Sequence, residues 1–239
     1  MIGSKRIALA IATLICLAVV ACFPSPSRAA YTIYLNDPNA GLSVYTGPYG
    51  TITVDLVDST HANVTLQSLS AGQFTYLFGG QNTLALNVNA SLFSAGDITG
   101  SQAGLGSNYA LDPWELQSTG SGNVSEFGDF NFTVKSKGGF TRSVNELTLT
   151  LTNVSGTWVS DADVLTPNAD GYRAAGHVFV WNPAAPSGGS DVNPLTGFAG
   201  DGPVVAVVPA PPSLVLAVIG GACACLFSVR RFRMYQSAG

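Results

Sequence analysis

Residues 145–153 read NELTLTLTN, and this stretch decides the fold class. Leu147, Leu149 and Leu151 alternate with Thr148, Thr150 and Thr152. A strand turns successive side chains to opposite faces, so this period of two puts the leucines on one face and the threonines on the other. The same alternation recurs elsewhere. In residues 50–58, GTITVDLVD, it selects Ile52, Val54 and Leu56; in 63–67, NVTLQ, it selects Val64 and Leu66. Residues 83–89, TLALNVN, offer Leu84, Leu86 and Val88, and residues 129–135, DFNFTVK, offer Phe130, Phe132 and Val134. Shorter candidates are YTIYL at 31–35, LSVY at 42–45, FTYLF at 74–78, GTWVS at 156–160 and GHVFVW at 176–181.

Turn clusters separate these runs: DSTHAN from Asp58, FGGQN from Phe78, STGSGN from Ser118 and KSKGGF from Lys135. About nine or ten half-buried strands result, with no long amphipathic helix among them. Strands with one apolar face must stack as two sheets or close a barrel. The reading adopted is an all-β antiparallel sandwich, jelly-roll-like, over residues 31–181. Residues 91–126 are read as a long connection with one helical turn near DPWEL at 112–116. Residues 182–208, rich in Pro and Gly, are read as a linker.

Charge and cysteine placement narrow the class. Only 10% of the residues are charged, against about 25% in an ordinary soluble domain. All fourteen acidic residues lie between Tyr31 and Val208, where the basic residues are Lys135, Lys137, Arg142 and Arg173. A middle that acidic repels phosphate backbones, so no nucleic acid partner is expected. The four cysteines are Cys16, Cys22, Cys223 and Cys225, so the middle has neither disulfides nor thiolate metal sites. Its stability must come from its core.

The two ends read as targeting segments. Residues 1–30 have the parts of an export signal: Lys5 and Arg6, an apolar run from Ile7 to Ala21, and Ser27-Arg28-Ala29 for a signal peptidase. Cleavage is expected after Ala29, with Ala30 as the alternative. Val19-Val20-Ala21-Cys22 also resembles a lipobox, which would place a lipid on Cys22. Residues 213–229 carry no charge and, as a helix, would span about 26 Å, close to the hydrocarbon core of a bilayer. Pro209, Pro211 and Pro212 stop backward extension, and Arg230, Arg231 and Arg233 hold the far end at the cytoplasmic face. The expected topology is domain outside and tail inside.

This order resembles the C-terminal sorting signal of bacterial PEP-CTERM proteins, here over residues 209–239. The family's Pro-Glu-Pro motif appears as Pro209-Ala210-Pro211, with Ala210 in place of Glu. The resemblance implies an exosortase-like transpeptidase as partner, cutting near this motif, and a link to exopolysaccharide and biofilm. A plain one-pass anchor is the alternative. The middle also resembles an uncharacterised domain of such proteins, through GPYGTITVDL at 47–56, SGNVSEFGDFNF at 121–132, the run from Glu146 to Val180, and GFAGDG at 197–202. That resemblance implies no known activity and no active site.

Few residues point to chemistry, so an enzyme is not expected and no cofactor is inferred. His61 falls in a turn and His177 in a strand, and no GxSxG elbow frames a serine. Asp161, Asp163, Asn168 and Asp170 crowd one loop and form a weak calcium candidate, off the EF-hand spacing. Glu126 and Asp129 would be the carboxylate pair of a glycosidase, the minor hydrolase alternative. Trp114, Trp158 and Trp181, with Tyr45, Tyr49 and Tyr76, would stack on sugar rings in a carbohydrate-binding or adhesive module.

Overall fold

A computed structural model describes residues 30–102, 116–182 and 195–202. Residues 1–29 of the signal segment, residues 103–115, the sorting motif Pro209-Ala210-Pro211, the apolar run 213–229 and the arginines lie outside the described residues. So does the turn placed near DPWEL, apart from Leu116. Among the described residues no helix is long and apolar enough to cross a membrane.

The strands are β1 (Tyr31–Pro38), β2 (Gly50–Leu56), β3 (His61–Ser68), β4 (Ser70–Ala71), β5 (Phe74–Phe78), β6 (Leu84–Leu86), β7 (Phe93–Ser101), β8 (Leu116–Val124), β9 (Gly128–Ser136), β10 (Glu146–Asn153), β11 (Ala174–Trp181) and β12 (Thr196–Asp201). Their pairings are antiparallel, as the alternating sequence requires. The hydrogen-bonded path runs β7-β10-β3-β2-β1-β12-β11-β6-β9-β8, with β5 beside β11 and β4 beside β5. The protein is therefore all-β, built on one continuous sheet that curls into a nearly closed barrel. The two edges, β7 and β8, come together where a Cβ on Gly100 would lie 2.9 Å from Leu116.

β10 shows how the sequence makes the core. Leu147, Leu149 and Leu151 are buried and stand opposite Leu66, Val64 and Ala62 of β3, while Thr148 and Thr150 face outward opposite Thr65 and Asn63. Such directly opposed pairs are the stabilising unit of a sheet. The interior is completed by Ile52, Val54 and Leu56 from β2, Leu84 and Leu86 from β6, Phe132 and Val134 from β9, and Val178 and Val180 from β11. The ends are plugged by loops. Leu42 and Tyr49 fill one, and Trp158, Val164 and Leu165 fill the other.

Several boundaries differ from the sequence reading. LSVY and GTWVS form loops, with a 3-10 turn at Ala40–Leu42 in the first. Residues 91–126 hold two long strands, β7 and β8, so STGSGN is strand and not turn. The sheet extends beyond Trp181, because Thr196–Asp201 from the expected linker forms β12 between β1 and β11. Phe130 leaves the face of Phe132 and Val134. Gly120 pairs with Thr133 and Gly122 with Phe130, two residues against three, and this bulge puts Phe130 with Ala85, Val124, Phe127 and Ala175 in a separate outer cluster.

Candidate functional site

The loop proposed for calcium is spent on holding the fold. Asp161 is buried, and its Oδ1 accepts from Leu56 N–H at 2.7 Å. Asp163 Oδ2 accepts from Val159 N–H at 3.3 Å. Asn168 donates to Phe127 O and Asp129 O at 2.8 and 3.1 Å, and accepts from Asp170 N–H and Tyr172 N–H at 3.1 and 3.0 Å. Among the described residues no three His, Cys, Asp or Glu side chains gather as metal ligands would. Asp and Asn earn their places here as turn formers.

The paired carboxylates fare similarly. Glu126 sits exposed at the tip of the β8–β9 turn with φ 71°, and the Asp129 carboxylate accepts from the Asn123 amide at 2.9 Å. Of the named aromatics, Tyr49 and Tyr76 are fully buried. Their hydroxyls donate to backbone carbonyls of Tyr45 and Thr46, at 2.8 and 2.7 Å, and so pin the loop after β1. Trp158 is buried and donates to Asn89 O at 2.8 Å. Tyr45 and Trp181 are half-buried, and Trp114 lies outside the described residues.

The two histidines have different surroundings. His61, expected in a turn, opens β3 beside the exposed turn where the Asp58 carboxylate gathers Thr60 N–H, the Thr60 hydroxyl and His61. These bonds, led by the Thr60 backbone, hold the Asp58 carboxyl well below the usual carboxylate range. The group is a self-contained Asx turn. His177 stands on the outer face of β11, stacked on Phe198 of β12 at 4.6 Å and tilted against Phe179 at 4.8 Å. Phe140 extends the row, 5.7 Å from Phe179.

Hydrogen bonding fixes the His177 tautomer. Thr196 Oγ1 donates its one proton to Val178 O at 2.8 Å, so it accepts from His177 Nε2–H at 2.6 Å. Nδ1 is then a bare acceptor, buried and without a hydrogen-bond partner. Burial pushes the imidazole pKa down, with the Gly79 backbone pulling it back up. Gly80, at φ 72°, leaves the room this ring needs, since a Cβ there would lie 3.0 Å from Nδ1. The sequence marked His177 but gave no sign of Phe140 and Phe198 as its neighbours. The cross-strand register of β11 and β12 joins His177 to Phe198.

A second polar group ties β12 to the start of β11. Asp201 is buried, and its Oδ1 accepts from Arg173 N–H and Ala174 N–H at 2.7 and 3.0 Å. Its Oδ2 lies 3.5 Å from the Arg173 guanidinium. Desolvation raises its pKa, against the pull of these donors. Beside it Tyr172 donates to Asp37 at 2.7 Å, and that bond with burial raises the phenol to about 12. Fold and surface together define an acidic, cysteine-free, all-β near-barrel with an aromatic strip on its outer face. No protein-family model matches the chain, and neither a curated protein nor a solved structure shows detectable similarity to it.

Proposed function

We propose that this is an exported, non-enzymatic bacterial cell-surface or extracellular-matrix protein, processed or anchored through a PEP-CTERM-type C-terminal signal. One observation carries the reading: Pro209-Ala210-Pro211, an uncharged seventeen-residue run at 213–229, then Arg230, Arg231 and Arg233. The run is long enough to enter a bilayer, and the arginines resist being drawn after it. The partners on this reading are a signal peptidase, an exosortase-like transpeptidase and the membrane, with exopolysaccharide in the surrounding matrix. As part of the same reading we take the curled sheet as a flattened, jelly-roll-like sandwich. In support, Phe78 packs against both Gly50 of β2 and Gly176 of β11. Mass spectrometry of the protein from its host tests the proposal. A mature chain starting at Tyr31 or Ala30 and lacking residues beyond the Pro-Ala-Pro motif is expected. A chain retaining Met1 and Gly239, isolated from the cytosol, would overturn it.

A second reading, a carbohydrate-binding surface, is favoured by the row Phe198, His177, Phe179 and Phe140 on one sheet face. Phe198, His177 and Phe140 are partly exposed and Phe179 is buried, and partly exposed rings can cover the apolar faces of sugars. Retardation by soluble exopolysaccharide in affinity electrophoresis, abolished by Phe198→Ala, is the expected result. Equal migration of the two proteins with and without polysaccharide would exclude it.

A further inference from the structure

The turn that joins β5 to β6, residues 79–83, reads GGQNT and lies against the His177 ring. A Cβ on Gly80 would lie 3.0 Å from His177 Nδ1 and 3.8 Å from Gly139 Cα, and one on Gly79 would lie 2.9 Å from Gly139 O. The turn is therefore crowded between the ring and the 3-10 turn Gly139–Arg142. It is also a junction of three strands. Gly79 N–H donates to His177 O at 3.2 Å and His177 N–H to Asn82 O at 3.0 Å, which ties it to β11. Gly80 O accepts from Ser136 N–H of β9 at 3.0 Å. The Asn82 amide donates to Asn123 O of β8, the sheet's edge, at 2.9 Å.

The ring at this junction is poorly placed to hold a proton. Nδ1 is buried without a hydrogen-bond partner, and Nε2 is committed to Thr196. β12 faces the ring with Thr196 and Phe198, β11 with Phe179, and the turn with Gly79 to Asn82, none of which ionises in this range. The 3-10 turn brings Arg142, a second cation. Tyr172 lies farther along, over Gly200, and is bonded to Asp37; Asp201 is bonded to Arg173 and Ala174. Among the described residues, then, no carboxylate stands ready to pair with an imidazolium. Burial outweighs the one favourable pull, that of the Gly79 backbone.

We propose that residues 79–83 form an acid-operated latch: neutral His177 holds the turn shut, and a proton on Nδ1 opens it, releasing Ser136 of β9 and Asn123 of β8. Opening lets the charged ring reach water, which the closed turn denies it. The latch is independent of the export and membrane readings. Its sign follows from the ring's lowered pKa. The open fraction should rise about tenfold per pH unit from the ordinary histidine pKa down to the folded value, then level off. The test is hydrogen exchange of the full chain in detergent at stepped pH, read at single amides by mass spectrometry and corrected for intrinsic exchange. Gly79, Ser136 and His177 should lose protection along that curve, while Val54 and Val64 of the central strands keep theirs. His177→Phe keeps a ring and removes the proton, so its profile should be flat. Gly80→Ala sets a methyl on Nδ1 and should expose the same three amides at neutral pH. Protection at Gly79, Ser136 and His177 that holds through the acid range overturns the latch. So does a step that survives in His177→Phe, or wild-type protection in Gly80→Ala. Parallel loss at Val54 and Val64 assigns the acid response to the whole fold and overturns it as well.

Discussion

Substituting Asp201 separates two things a buried carboxylate can do: accept hydrogen bonds and carry charge. Its side chain is 1% exposed and caps two backbone N–H groups at the start of β11. Asp201→Ala strips both donors of their partner. An unsatisfied buried donor costs about 1–3 kcal/mol, so the loss should be about 3–5 kcal/mol. Asp201→Asn keeps an oxygen for the same donors and removes only the desolvated charge. Its partner Arg173 is partly exposed and can turn to water, so the change should stay within about 1 kcal/mol. The sign with pH follows from the raised carboxyl pKa. The folded state binds this proton more readily than the unfolded chain, so the wild type gains stability from this site as pH falls through the folded pKa, and Asp201→Asn lacks that gain. Urea unfolding of the intact chain at neutral and acid pH, followed by tryptophan emission, measures all three proteins. If the Asn variant falls as far as the Ala variant at neutral pH, the charge pairing with Arg173 holds the strand, and the capping argument is refuted.

Four further outcomes are expected. Leu149→Ala empties a core position and should cost about 2–5 kcal/mol in the same unfolding assay. Gly176→Ala sets a methyl 2.9 Å from the Phe78 ring and should lower stability by about 1–3 kcal/mol, partly restored by adding Phe78→Leu. His177 has a depressed pKa, so it contributes stability above the ordinary histidine pKa that is lost as pH falls through the folded value. His177→Phe should flatten that limb of the urea-midpoint profile, and an unchanged limb would assign it to another group. Tyrosine absorbance should show a component ionising at about 12, absent from Tyr172→Phe.

The strands that face both core and solvent were legible because burial writes itself as alternation. β2, β3 and β10 appear in NELTLTLTN and its relatives as they do in the fold. β7 and β8 did not, and the reason is physical. They are the sheet's edges and largely exposed, with only Phe93, Ala95, Ile98 and Leu116 packing partly against the core, so FSAGDITGS and LQSTGSGNV carry only a weak period of two. Gly120, at φ 72°, and the bulges beside it interrupt the β8 ladder and blunt the edge against further pairing. Gly and Ser serve that purpose and also imitate a turn.

β12 is the harder case, because its sequence, TGFAGD, looks like linker for a reason that lies elsewhere in the chain. A Cβ on Gly197 would lie 2.5 Å from Asn39 Oδ1 and 2.8 Å from Leu42, and one on Gly200 would lie 2.5 Å from the Phe127 ring. Both glycines exist so that a loop and an aromatic ring can lie directly on the strand, a requirement set by residues more than seventy positions away in one case and more than a hundred and fifty in the other. Long-range packing of this kind leaves no local pattern. The same holds for the outer strip: His177 was visible, but its stacking on Phe198 depends on a register that only the placement of β12 sets. The outer strip is therefore a surface whose residues were uninformative when read singly, and Phe198→Ala probes it where sequence alone would have chosen a tryptophan.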